Sequence, residues 1–251
     1  MAQLNNPAGR LHALLSDYQR VAASNRSILS TWADVLSVSP DGVPEELCAV
    51  ASLISDIRMA IEATGDIDQL ELFRHFSPAW IDAIIFTERN GTQIPSPGRG
   101  FVQSTALISL ASLSSFLSVV SPEPITPSVD TLEEIRGRLV EAVDLTASST
   151  DVPDDVRHLL LDRLYDIVSA VDRIRIGGSG AVTAAMEALA GAVAIRVTGN
   201  KRTPTVRQVL AIVGAAWTIF LTGAQVDNAL TGWEGVIGRI ESADGPASTG
   251  Q

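Results

Sequence analysis

The chain has 251 residues, enough for one large domain or two modest ones, each able to bury a core. Hydrophobic residues make up 46% of it and charged residues 19%, which excludes a disordered polypeptide. A net charge of −11 repels phosphate backbones, so no nucleic-acid partner is expected.

The excess of acids lies before residue 201; beyond it acids and bases balance. Lys201 is the only lysine, and the other basic residues are arginines apart from three histidines. The expected explanation of that bias is GC-rich coding, which would fit a bacterial source. Cys48 is the only cysteine, so no disulfide forms within the chain and no cysteine-rich metal site exists. On the apolar side of its helix, Cys48 is expected to behave as a small buried hydrophobe. The segment Met1–Arg10 has no apolar run of the kind a secretory signal needs, so none is expected, and the N-x-S/T sequons at Asn25 and Asn90 then read as chance.

The pattern is helical almost throughout. Leu11, Leu14, Leu15, Tyr18, Val21, Ile28, Leu29, Trp32, Val35 and Leu36 recur at three- and four-residue steps, one face of a single long helix. Ser39-Pro40-Asp41-Gly42 reads as a turn. Pro44 opens a second helix with the face Leu47, Ala51, Ile54, Ile57 and Ile61, and Gly65 closes it. So short a turn predicts that the two long helices pair antiparallel. Residues 66–88 read as one or two shorter helices burying Leu70, Leu72, Phe73, Phe76, Trp80, Ile84 and Ile85. A strand at Ala83–Thr87 turning at Asn90-Gly91 is the alternative. Residues 1–88 make up an N-terminal helical part, and residues 89–100 form a loop after it.

Residues 101–120 contain no charge and many serines, and are expected to be the central buried helix, with a membrane span as the alternative. Ser121–Ser128 is a Pro-rich connector. The C-terminal helical part, 129–200, begins with Thr131-x-x-Glu134 as a capping box ahead of Leu132, Ile135, Leu139 and Val143. Asp151-Val152-Pro153 opens the next helix, where Val156, Leu160, Leu164, Ile167, Val171 and Ile174 step nearly as a heptad seam suited to self-association. Gly177-Gly178 breaks that helix. The run 179–195 follows, built from alanines and glycines around Glu187, whose charge argues against a membrane span.

The hydrophobic helix 205–227 contains a charge-free run, Gln208–Val226, of about the ~20 residues a bilayer needs. Val209, Leu210, Ile212, Val213, Trp217, Ile219, Phe220 and Leu221 would form the span. Arg196, Lys201, Arg202 and Arg207 flank its start and acids follow its end, the asymmetry of a span with its N-terminal side in the cytoplasm. Trp217 sits mid-run, where an interfacial tryptophan does not belong, whereas Trp233 is better placed for the far interface. The competing reading makes the run a buried core helix. Residues 241–251 form a frayed tail.

Chemistry is sparsely marked. Glu71 with His75, and His158 with Asp162, are spaced i,i+4, and each is at most half of a metal site. The third histidine is His12. Glu45-Glu46, Glu133-Glu134 and Asp154-Asp155 fall in predicted first helical turns, where the helix dipole favours acids. Ser96-Pro97-Gly98-Arg99-Gly100 reads as an anion cradle or as a plain connector. No HExxH, GxSxG or Walker A pattern occurs. The expectation is an all-α multi-helix bundle with no catalytic, metal or cofactor site. It would be anchored to a membrane by the C-terminal helix, with membrane lipid as a partner and its body in the cytoplasm. It would act by binding a protein partner, by assembly of a homo-oligomer or by membrane perturbation. The alternative is a soluble, cytoplasmic all-helical interaction or scaffold module with 208–226 in its core.

Overall fold

The structure, a computed structural model, describes residues 5–22, 27–84, 103–121, 126–197 and 203–223. Among these the chain is all-helical, without a strand, and it divides into two compact units. Unit 1 comprises Met1–Glu123 and Arg175–Gly178, and unit 2 comprises Pro124–Ile174 and Ser179–Gln251.

Unit 1 holds α1 (Pro7–Val21), α2 (Ile28–Leu36), a 3-10 turn (Pro40–Gly42), α3 (Val43–Thr64), α4 (Ile67–Ile84) and α5 (Ser104–Val120). The apolar face from Leu11 to Leu36 is therefore carried by two helices rather than one. Ala22 turns extended at the end of α1 (φ −60°, ψ 127°), and Ser27 starts α2 by accepting the Ser30 N–H at 3.0 Å. A capping serine overrides a continuing apolar period because it satisfies an end donor that the helix cannot. Leu29 departs from the expected face and is exposed. At the other end of α2 Ser37 adopts the left-handed conformation and leads into the turn.

Pro44 sits in the first turn of α3, and Gly65 ends that helix at φ 71°. Cys48 is exposed, not buried. The inward face of α3 runs through Val50, Leu53, Ile54, Ile57 and Ile61, and Cys48 lies off that stripe. Residues 67–84 form one helix that includes Pro78, with Ala83 and Ile84 helical. Asn90-Gly91 and Ile85 lie outside the described residues, as do the loop 89–100 and its glycine-rich Ser96–Gly100.

The core of unit 1 is aromatic at its centre. Tyr18 and Trp32 meet at 4.6 Å between ring centroids, both fully buried, and burial pushes the Tyr18 hydroxyl up to about 12. Trp80 donates its indole N–H to the Ala106 carbonyl at 2.9 Å, tying α4 to the first turn of α5. Asn6 caps α1 by accepting the Gly9 N–H, and donates to the Ser114 carbonyl of α5 at 2.8 Å. Only one face of α5 is buried, through Ala106, Leu110, Leu113 and Leu117, while Ile108 and Val119 are exposed.

Unit 2 holds α6 (Val129–Ser148), α7 (Asp154–Asp172), α9 (Pro204–Gly223) and α8 (Ile174–Arg196) apart from Arg175–Gly178, which belong to unit 1. The cap of α6 is Ser128, which accepts the Thr131 N–H; Thr131 is already inside the helix. Starting the helix three residues earlier moves Glu133-Glu134 out of the first turn. Glu134 pairs instead with Arg138 at 2.9 Å. The other two doublets, Glu45-Glu46 and Asp154-Asp155, do occupy first turns. Helix α8 is interrupted at Gly178, whose backbone is non-helical at φ 69°, ψ −177°.

Candidate functional site

Two helices are long and apolar enough to cross a membrane by length and composition, Ile174–Arg196 and Pro204–Thr222. They differ in what surrounds them.

The start of α9 is built from three residues. Thr203 caps it, its hydroxyl accepting the Val206 N–H at 3.3 Å and its carbonyl the Arg207 N–H at 3.1 Å. Pro204 follows in the first turn, where no N–H is needed. Asp151, from the α6–α7 connection, then clamps Thr205, accepting its hydroxyl at 2.6 Å and its N–H at 3.3 Å. Those hydrogen bonds, led by the Thr205 hydroxyl, hold the Asp151 carboxyl below its ordinary value. Asp151 thus serves the start of α9, whereas Pro153 stands at the N-cap of α7 without a side-chain hydrogen bond. The Thr203-Pro204 pair was the available signal for this helix start, and nothing in the sequence marks Asp151 as its partner.

Along α9, Val206, Val209, Leu210, Val213, Ala216, Trp217, Phe220 and Leu221 are buried, and Ile212 and Ile219 are partly buried against the same core. Its exposed positions are Pro204, Arg207, Gln208, Ala211, Thr218 and Thr222, polar or small side chains. Trp217 and Phe220 stack at 5.5 Å on the inward side, which explains a tryptophan in mid-helix. Thr218 and Thr222 return their hydroxyls to the carbonyls of Gly214 and Thr218. The helix packs lengthwise on α6, whose inner face is Ile135, Leu139, Ala142, Val143 and Thr146. The outer face of α6 presents Glu133, Glu134, Arg136, Glu141 and Asp144 to water.

The heptad-like seam is spent inside the unit. Val156, Leu160, Leu164, Ile167, Val171 and Ile174 are all buried in the core of unit 2. As placed, these six side chains are not a surface on which a second copy could dock. Arg196 is exposed at the end of α8 and Arg207 lies in the first turn of α9. Lys201 and Arg202 lie outside the described residues, as do Val226, Trp233 and the tail 241–251.

Helix α8 turns its large side chains inward, with Val182, Met186, Leu189 and Val193 buried. Outward it shows Gly180, Ala184, Glu187, Ala188, Gly191, Ala194 and Ile195. Glu187 therefore faces water, and its charge is not enclosed.

The histidines do not assemble a site. Glu71 and His75 are both exposed on α4, and His158 and Asp162 are both exposed on α7. His12 is half-buried on α1, and burial lowers its ordinary value. Among the described residues no three His, Cys, Asp or Glu side chains gather where they could hold a metal. No known protein family, no curated protein and no solved structure matches the chain.

Proposed function

We propose that the chain is a soluble, non-enzymatic helical interaction or scaffold protein in which α9 is a core helix of unit 2. The observation that carries this reading is the sidedness of α9: its large apolar side chains are buried and its exposed positions are polar or small. A lipid-facing helix would show bulky apolar side chains outward. The pairing of α9 with α6 supports the same reading, because α6 carries a charged outer face that a bilayer would not accept. In this reading the two units offer helix faces to a protein partner. The uncharged outer face of α5, with Ile108, Ser112, Ser115 and Val119, is one such face. Around the turn at Pro40–Gly42 the N-terminal helices pair antiparallel.

Anchoring to a membrane is the second reading, favoured by the length and composition of α8 and α9. Two single charges separate the readings. Ala211→Arg puts a cation on the exposed side of α9, and Val213→Arg puts one on its buried side. For a core helix, Ala211→Arg stays folded and extractable in alkaline carbonate, while Val213→Arg loses helicity and aggregates. Wild-type protein that resists the carbonate wash, with both variants released from the membrane as folded protein, would establish the anchor instead.

A further inference from the structure

Between α7 and the main body of α8 the chain makes one helical turn, Ile174–Gly177. Arg173 (φ −96°, ψ 17°) precedes it and Gly178 follows. Arg175–Gly178 belong to unit 1, although the residues on either side of them belong to unit 2.

Two side chains, Arg175 and Ile176, hold this segment in unit 1, and Gly178 fits closely against it. The Arg175 guanidinium donates to the Val35 carbonyl at 2.7 Å and to Asp17 Oδ2 at 2.5 Å. Val35 lies in the last turn of α2, where carbonyls lack helical partners and a cation is favoured by the helix dipole. Ile176 is buried in the core of unit 1. Gly178 has φ 69°, and a Cβ there would press into the Arg10 guanidinium, 2.9 Å from its Cζ. That backbone conformation favours glycine.

We infer that Arg175–Gly178 is a releasable strap across α1 and α2, which opens as one local step while the rest of unit 1 and the core of unit 2 stay folded. Its attachment is slight beside theirs. One large apolar side chain, Ile176, is buried, and the Arg175–Asp17 pair remains 44% and 32% exposed, so water and salt weaken it. Release strands no charge, because Arg20 holds Asp17 at 2.8 Å from the other side. Gly177-Gly178 regains the most backbone freedom of any dipeptide on opening. Opening removes the Arg175 donor from the Val35 carbonyl at the end of α2 and uncovers the seat of Ile176.

The test is native-state hydrogen exchange on the full-length protein, read by mass on segments 172–180, 33–39, 104–120 and 129–148. The strap predicts that 172–180 and 33–39 open together, well before 104–120 and 129–148. Arg175→Ala should speed exchange of the first two segments about tenfold and leave the last two unchanged. Raising salt on the wild-type protein should act in the same direction, which keeps the test independent of any variant's folding. Arg20→Ala should leave the strap in place. Exchange of 172–180 only together with 104–120 would show that the segment is ordinary core. Exchange of 172–180 that neither Arg175→Ala nor salt alters would show that the clamp does not hold it. Either result overturns the inference.

Discussion

Helices α8 and α9 pass the same test of length and apolarity, yet they are constructed in opposite ways. Half of the most apolar window of α9 is buried, against a third in α8. Helix α9 encloses Trp217 and Phe220 and is pinned at its start by Asp151, while α8 is broken at Gly178 and shows glycine and alanine outward. Hydropathy counts residue types, whereas burial depends on which side of the helix they occupy. A helix can therefore be apolar enough for a bilayer because it is the centre of a core, or because glycine and alanine fill much of its outer face, as on α8 around the exposed Glu187.

The largest effect should come from a charge on the buried side of α9. Val213→Arg is expected to cost more than about 4 kcal/mol and to unfold unit 2, because the cation has no partner there. Ala188→Arg on the exposed side of α8 should stay within about 0.5 kcal/mol in urea denaturation. If both cost the same, the contrast between the helices is lost. Phe220→Ala should come next, at about 3–5 kcal/mol from lost burial and the cavity left behind, with Trp217 fluorescence reporting the loosened core. Two of the four glycines of α8 sharpen the contrast further. Nothing stands near a Cβ at Gly191, so Gly191→Ala should stabilise by about 0.5–1 kcal/mol, whereas Gly178→Ala should destabilise.

The smallest effect concerns Asp151, which is exposed. Its carboxyl ionises more readily in the folded state than in the unfolded one. Its contribution is therefore present above the ordinary carboxylate value and fades as pH falls through the lowered folded value. Asp151→Asn should flatten that acid limb of a pH–stability curve and leave the neutral limb close to wild type. An unchanged acid limb would mean that the clamp on Thr205 does not contribute.

Helix periodicity was legible where one face is simply apolar. The later part of the α3 face, Ile54, Ile57 and Ile61, the break at Gly177-Gly178 and the all-helical class could all be read from residue spacing. The division between α1 and α2 was not, because the apolar steps continue across it and the decision rests on Ser27 as a cap. The start of α6 was displaced for a related reason. Ser128 and Thr131 both suit a cap, and the earlier one wins when its hydroxyl reaches the Thr131 N–H. Cys48 shows the limit of assigning a face from a few positions, since one step around α3 moves a side chain from core to water. As for the candidate site, the sequence identified α9 as unusual but could not show its sidedness, which depends on α6, more than fifty residues away in the chain. Asp151 and Arg175 were equally silent, because each acts on a backbone or side-chain group remote in sequence.

The placement of Arg175–Gly178 bears on how the protein is made. Unit 1 is encoded almost wholly before unit 2, and an N-terminal unit ordinarily folds first as it leaves the ribosome. Here its last four residues arrive only after α6 and α7 have been synthesised. The nascent unit 1 must wait without Arg175 on the Val35 carbonyl and with the seat of Ile176 empty. A pause in translation shortly before residue 175 would prolong that unfinished state, and a pause after residue 178 has left the ribosome would not.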